Sequence, residues 1–408
     1  MEKKYKRWME ASLKQALSKR RVVVISGARQ CGKTTLSKQI AIDNSIFRSL
    51  DDITLLKAAI DDPNGFVKHS HSTMIIDEIQ KAPDLLPAIK QIVDFDNRAG
   101  QFLLTGSADI KSLPQVSESL AGRIKNIRLR TLSQGELLGN KPKFMQMLFD
   151  DGFPAQIKGY DKREILKIAF RGGYPEVVNF SDTDRKDWHL DYVNTLLSRD
   201  LKIIANVKRK AALEEQMRIL AAWSSKLMDT PGMCSKLSIG RQTFDSYVGA
   251  LEVLYLFEQV NPWCRTDYAR VGRKDKIFIT DTGIMASILN WNFEEVYLNP
   301  ERSGKMIETF AYNELAIQAE IFGCRIFHYR DREDREIDFI IEDQNGQIAC
   351  VEIKSGSAVS KDDFRHILWF KNNIVKNKDA ISIILYSGEN TVSFGDGLLA
   401  VPMAALWN

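Results

Sequence analysis

Val22-Val23-Val24-Ile25-Ser26-Gly27-Ala28-Arg29-Gln30-Cys31-Gly32-Lys33-Thr34-Thr35 is the stretch on which the fold is decided. Val22–Ile25 is an unbroken β-branched run, the pattern of a strand covered on both faces in a parallel sheet. Gly27–Thr34 fits G-x-x-x-x-G-K-[ST], and a helical pattern runs from Lys33 to Ile42. Strand, glycine turn and helix in that order form a phosphate cradle. Glycine lets backbone N–H groups come close to phosphate oxygens, and the new helix N-terminus adds partial positive charge. Gly27, Ala28, Arg29, Gln30, Cys31, Gly32, Lys33, Thr34 and Thr35 are the predicted nucleotide-binding residues, with ATP as ligand. Lys33 would reach the β- and γ-phosphates, and the Thr34 hydroxyl would bind Mg²⁺.

Outward from this loop, Thr73-Met74-Ile75-Ile76 ends at Asp77-Glu78. An apolar strand tipped by two acids can hold Mg²⁺ with Asp77 and accept a proton from an attacking water with Glu78. Gln101-Phe102-Leu103-Leu104 ends at Thr105-Gly106-Ser107, where Thr105 or Ser107 either orients water or only turns the chain. Ile124–Arg130 is more polar and reads as a strand nearer a sheet edge. Arg123, just before it, is a candidate to stabilise transition-state charge in a neighbouring subunit, or else a solvated arginine. Strands alternating with helices predict an α/β class with an open parallel sheet and the ligand at its carboxyl ends.

Composition agrees with an ordinary globular chain: 408 residues, 44% hydrophobic, 27% charged, formal net charge +4. That charge is too small to argue for nucleic acid by itself. No apolar run approaches the ~20 residues of a membrane span, and the start, MEKKYKRWMEASLKQ, lacks an apolar centre, so cytoplasm without membrane association is expected. Cys31, Cys234, Cys264, Cys324 and Cys350 are scattered and predict neither disulfides nor zinc, with Cys31 a small filler. His69, His71, His189, His328 and His366 form no triad-like spacing.

Beyond about Leu137 the pattern changes. Residues 161–230 are mostly helical, and 234–260 read as helix, turn, helix, strand. Ile239-Gly240 is the turn, and Phe244, Tyr247, Val248, Leu251 and Leu254 keep core spacing on the second helix. Arg241, Gln242 and Thr243 would open that helix, where winged-helix modules meet DNA. Phe257–Val260 and Lys276–Ile279 would pair as the wing, with Arg265, Arg270, Arg273 and Lys274 between them; Lys208-Arg209-Lys210 form another cluster, while Asp267 and Asp275 dilute the charge. DNA contact and simple packing against protein both remain open.

Near the end, Asp338 precedes Glu352-Ile353-Lys354 on two strands, Glu336–Ile341 and Gln347–Lys354. If Gln344-Asn345-Gly346 is a three-residue hairpin loop, Asp338 faces Glu352, and the two carboxylates need a divalent cation or Lys354 between them. Glu308 shares a helical stripe with Ala311, Leu315, Ala319 and Phe322, so it points inward and needs a partner.

GARQCGKTTL, IIDEIQKAPDLL, LLTGS, ESLAGRI and TLSQGEL, followed by GGYPE and KIFITDTGI, together resemble the bacterial and archaeal AAA-type P-loop ATPases with an uncharacterised C-terminal domain. The resemblance implies ATP hydrolysis, a homo-oligomer with shared sites, Arg123 as the arginine finger, and Arg171 as the nearest match to a second sensor. Glu308, Asp338 and Glu-x-Lys resemble the PD-(D/E)xK nuclease core. That resemblance implies Mg²⁺ on Asp338 and Glu352, Glu308 in support and Lys354 at the attacking water, with DNA as the partner. A silent scaffold that binds proteins is the alternative. The expected division is a P-loop core at 1–137, a helical lid-like region at 138–205, a winged-helix region at 206–285 and a restriction-endonuclease-like α/β domain at 286–408.

Overall fold

In the computed structural model, residues 4–41, 45–106, 122–200, 210–266, 272–376 and 380–408 are described. The chain divides into two units. The first comprises Met1–Leu132 with Tyr174–Glu176 and Val253–Tyr255; the second comprises Ser133–Gly173, Val177–Glu252 and Leu256–Asn408.

The first unit is built on five strands: β1 (Val22–Ser26), β2 (Ile46–Ser49), β3 (Met74–Asp77), β4 (Phe102–Gly106) and β5 (Ile124–Arg128). They lie in the order β2-β3-β4-β1-β5, every pair parallel. β1, β3 and β4 are buried along their whole length, as their continuous apolar runs require. β5 occupies the edge expected from its polar pattern, pinned by a 3.0 Å hydrogen bond from Ser26 Oγ to Asn126 Oδ1. β2, Ile-Phe-Arg-Ser, is the strand that sequence patterning misses; it is short, half-buried and at the other edge, so no apolar run marks it. The first helix is Met9–Lys19 and buries Met9, Leu13 and Ala16.

In the second unit, Thr230–Leu237 and Arg241–Val253 are helices, and β6 (Phe257–Val260) pairs antiparallel with β7 (Lys276–Ile279), the pairing the sequence pattern predicts. A 23-residue helix, Pro300–Phe322, precedes a six-stranded sheet. Its strands are β8 (Arg325–Arg330), β9 (Glu336–Glu342), β10 (Ile348–Ile353), β11 (Ile381–Tyr386), β12 (Val392–Ser393) and β13 (Leu398–Pro402), in the order β12-β13-β11-β10-β9-β8. Alternation along these strands feeds two separate cores. Phe339, Ile341, Val351, Ile383 and Leu385 enter one, and Ile340, Cys350 and Ile384 the other.

β9 and β10 form the expected hairpin. The Asp343 N–H donates to the Gln347 carbonyl at 3.0 Å, and Gly346 sits at φ 83° at the end of the loop. Phe339 pairs with Val351, a register that carries Asp338 to Glu352. Among the described residues no helix is long and apolar enough to cross a membrane.

Candidate functional site

The glycine loop after β1 is shaped by its backbone. Gly27 has φ 152°, and a Cβ there would lie 2.2 Å from the Leu129 carbonyl oxygen, so no other residue fits. Gln30 and Gly32 also have positive φ, at 59° and 100°. Gly32 caps the helix Lys33–Ile40 without any side-chain cap, which leaves the first-turn amides to other acceptors. Arg7 braces the loop from the first helix's approach: its guanidinium donates to the carbonyls of Cys31 at 2.7 Å and Arg130 at 2.6 Å. An arginine 24 residues away leaves no local signal for this role. Cys31 is fully buried with its thiol 3.3 Å from the Leu129 carbonyl, in keeping with a filler. Arg29 is half-buried and Thr35 exposed.

Lys33 is only 4% exposed, and its ammonium donates to the carbonyls of Gly27 at 3.0 Å and Ala28 at 2.7 Å. The Thr34 hydroxyl lies 3.0 and 3.1 Å from the two oxygens of Asp77. Asp77 is buried at the tip of β3 and also accepts from Ser49 Oγ at 3.4 Å and from the Thr105 hydroxyl. Its neighbour Glu78 stands at φ 60°, a left-handed backbone uncommon outside glycine. There its N–H meets Thr105 Oγ1 at 3.3 Å, and its carboxylate accepts from Gln80. Thr105 thus links the Asp77 carboxylate to the Glu78 backbone, a contact that neither reading of it from the sequence includes. Arg123 is one-third exposed and ion-paired with Asp94. Ser107 lies outside the described residues.

The helix–turn–helix segment turns at Ser238, φ 52°, and buries Phe244, Tyr247, Val248 and Leu251. Arg241, Gln242 and Thr243 are exposed at the start of the second helix, Arg241 beside Asp245 at 3.6 Å. Arg265, Arg273 and Lys274 are exposed; Asp267, Arg270, Lys208 and Arg209 lie outside the described residues, and only the backbone of Lys210 is described. Arg171 bonds to Gln134 within the second unit.

The carboxylates of the C-terminal sheet do come together, but around a partner the sequence reading misses. Lys276, the first residue of β7, is 1% exposed. Its ammonium lies 2.6 Å from Glu308, 2.8 Å from Glu336 and 3.2 Å from Asp338. Glu336 and Asp338 are two apart on β9 and so project to the same side. Asp338 accepts from the Ile353 N–H at 2.9 Å, and Glu352 Oε2 lies 3.4 Å from the Asp338 N–H. The other oxygen of Glu336 meets Arg330 at 3.2 Å. Lys354, expected at this cluster, is paired with Asp363 instead. The only sequence signal for Lys276 is a lysine heading an otherwise apolar strand.

Electrostatics follow from this packing. Burial and then the charge of Asp338 push the Glu308 carboxyl up to about 8. Burial, with Asp338 next, raises Glu352 well above the usual carboxyl range. Burial works against the Lys276 charge, but Glu308, Asp338 and Glu336 override it and hold the ammonium well above its ordinary value. Burial, then the same ammonium, pushes His328 down to about 4. A cleft of about 740 Å³ reaches Glu308 and Glu336, with Trp223, Lys226, Lys274 and Lys305 on its walls.

Residues 19–138 match the AAA domain family. That segment is a P-loop domain of AAA type. Residues 162–295 and 303–406 match two domains of unknown function (DUF8612 and DUF4143). An uncharacterized protein of Mycobacterium tuberculosis and one of Mycobacterium bovis are each 26% identical over 395 residues, 96% of this chain and 82% of theirs. Among solved structures, the RuvB Holliday junction branch migration motor of Thermotoga maritima shares 17% identity over 62% of this chain and 88% of its own, with a TM-score of 0.29. AMPPCP-bound DnaA from Aquifex aeolicus shares 12% identity over 60% of this chain and 85% of its own, also at 0.29.

Proposed function

We propose that this chain binds and hydrolyses ATP at Gly27–Thr35. The observation that carries the reading is the Thr34 hydroxyl at 3.0 Å from the Asp77 carboxylate, beside the buried ammonium of Lys33. Thr34 and Asp77 offer oxygen donors, the set that Mg²⁺ prefers, so these two residues would hold the ion. Bound there, Mg²⁺ would neutralise triphosphate charge. Lys33 exchanges its two carbonyl partners for phosphate oxygens, and the free amides at the start of its helix complete the cradle. Glu78 takes the proton from the attacking water, held by Thr105 and Gln80. Arg123 leaves Asp94 to act in a neighbouring subunit of a homo-oligomer, and Ser107 touches the γ-phosphate or water. The second unit transmits the nucleotide state to DNA, read by Arg241, Gln242 and Thr243 from a winged-helix segment.

The test is equilibrium binding of ATP and of DNA by the intact chain. ATP binding in Mg²⁺ that vanishes in Lys33→Ala supports the nucleotide reading; a wild-type chain that ignores adenine nucleotides overturns it. DNA affinity that falls with salt supports the DNA reading, because phosphate contacts release counterions.

A second reading concerns the C-terminal domain alone. Lys276 at the centre of Glu308, Glu336 and Asp338, with Lys354 held by Asp363, favours a domain that recognises a partner and cuts nothing.

A further inference from the structure

The nuclease-like resemblance implies a divalent cation between Asp338 and Glu352, supported by Glu308. The residues present do not fit that ion. A divalent cation stands at roughly 2.0–2.6 Å from its carboxylate oxygens and fills the space between them. Here that central place is taken by an ammonium at 2.6, 2.8 and 3.2 Å from three carboxylates. No group of three His, Cys, Asp or Glu among the described residues is arranged to hold a metal ion.

We infer that Lys276 takes the place of the divalent cation in the C-terminal carboxylate set, so that this domain supplies its own cation and binds no metal there. Three features make the substitution permanent rather than incidental. The Lys276 backbone is held on both sides, paired with Val260 of β6 and bridged to Leu227. Its side chain is buried, so the ammonium cannot leave for water without uncovering three carboxylates at once. Asp338 is further committed, accepting the Ile353 N–H at 2.9 Å, while the lysine expected to assist a metal-bound water is held by Asp363. Arg330 adds a second positive group at the rim, meeting Glu336 from outside at 3.2 Å. The consequence is an ionic tie between β7 and the C-terminal sheet. The metal's geometric task of drawing helix and strand carboxylates together is done by a residue of the chain itself.

The inference deepens the second reading above, but its test reads cation binding and not cleavage or phosphate release, so the readings fail separately. Mn²⁺ binding is measured by electron paramagnetic resonance on the full chain carrying Asp77→Asn, which silences the nucleotide-site donors. The expected result is no bound Mn²⁺ that a further Asp338→Asn removes. One Mn²⁺ per chain that disappears with Asp338→Asn overturns the inference. Should that variant not fold, Glu352→Gln takes its place. A second measurement uses the unsubstituted chain: amine acylation followed by peptide mass spectrometry. Lys276 is expected to react at least about tenfold more slowly than the exposed Lys226, as a group reached only through opening would, and millimolar Mg²⁺ should leave its rate unchanged. Labelling of Lys276 that accelerates severalfold on adding Mg²⁺ shows the ion displacing the lysine and also overturns the inference.

Discussion

Two carboxylate sites in this chain, one in each unit, invite comparison. At the tip of β3, Asp77 is ringed by hydroxyls from Thr34, Ser49 and Thr105, and the nearby ammonium of Lys33 is turned toward the carbonyls of Gly27 and Ala28. Between β9, β7 and the Pro300–Phe322 helix, Glu308, Glu336 and Asp338 are ringed around the ammonium of Lys276. Hydroxyls share a carboxylate with an arriving ion; a buried ammonium competes with it. Under the functions proposed above, carboxylates with a lysine nearby serve opposite ends in the two units, one a site for a ligand and the other a closed tie. The difference lies in where the lysine goes, not in how many acids are present.

The sharpest way to break this comparison is at Glu78. Glu78→Gln is expected to keep ATP binding and lower phosphate release by about 10²–10⁴, the range for loss of a general base. Single-turnover hydrolysis alongside nucleotide binding checks it, and unchanged turnover removes Glu78 from its role.

Next in size is Lys276→Met. Removing one partner from a buried ion cluster costs about 3–5 kcal/mol. For a unit of this size that lowers the melting midpoint by about 10 °C in calorimetry. A midpoint unchanged by the substitution means the tie contributes nothing and the two sites do not differ as described.

A smaller effect is expected from Glu314, buried on the same long helix, whose carboxylate accepts the Gln134 N–H at 2.8 Å. Burial is the main cause that pushes its carboxyl up to about 8, with Glu136 adding to it and Arg171 opposing. A carboxyl raised in the folded state binds its proton more tightly there than when unfolded. The stability this group contributes is therefore fullest below about 4.5, falls as pH climbs and is gone once pH has risen through about 8. Glu314→Gln keeps the acceptor and should flatten that decline; melting midpoints from pH 5 to 9 would show it. Glu308, raised to the same value, contributes in the same direction, so the slope shrinks without vanishing.

Smallest of all is Lys354→Ala. Its pair with Asp363 is partly solvated, and such pairs contribute under about 1 kcal/mol. A loss as large as that of Lys276→Met, measured by chemical denaturation, would place Lys354 in the tie after all.

The first unit was legible in advance for a simple reason. Its strands are covered on both faces, so Val22–Ile25, Met74–Ile76 and Phe102–Leu104 advertise themselves as continuous apolar runs. The loop announces itself through Gly27, Gly32 and Lys33. What escaped were β2, with no apolar run, and Arg7, whose contacts with Cys31 and Arg130 join distant segments. In the second unit the hairpin register was readable from Gly346 and strand alternation, and it brings Asp338 to Glu352 as expected. The occupant of the resulting acidic centre was not readable. Lys354 was the near candidate by spacing, and the neighbour proved to be Lys276, some sixty positions upstream of Asp338 on a different pair of strands.

By itself, then, the sequence determined the phosphate loop, the acids that follow β3, the α/β class of the first unit and the pairing of β9 with β10. All of these follow from local periodicity, glycine conformation and residue order. Only the tertiary structure decided which cation balances the C-terminal carboxylates and which groups surround Asp77. Charge neutralisation in a buried site acts through space, at about 3 Å, and is blind to separation along the chain.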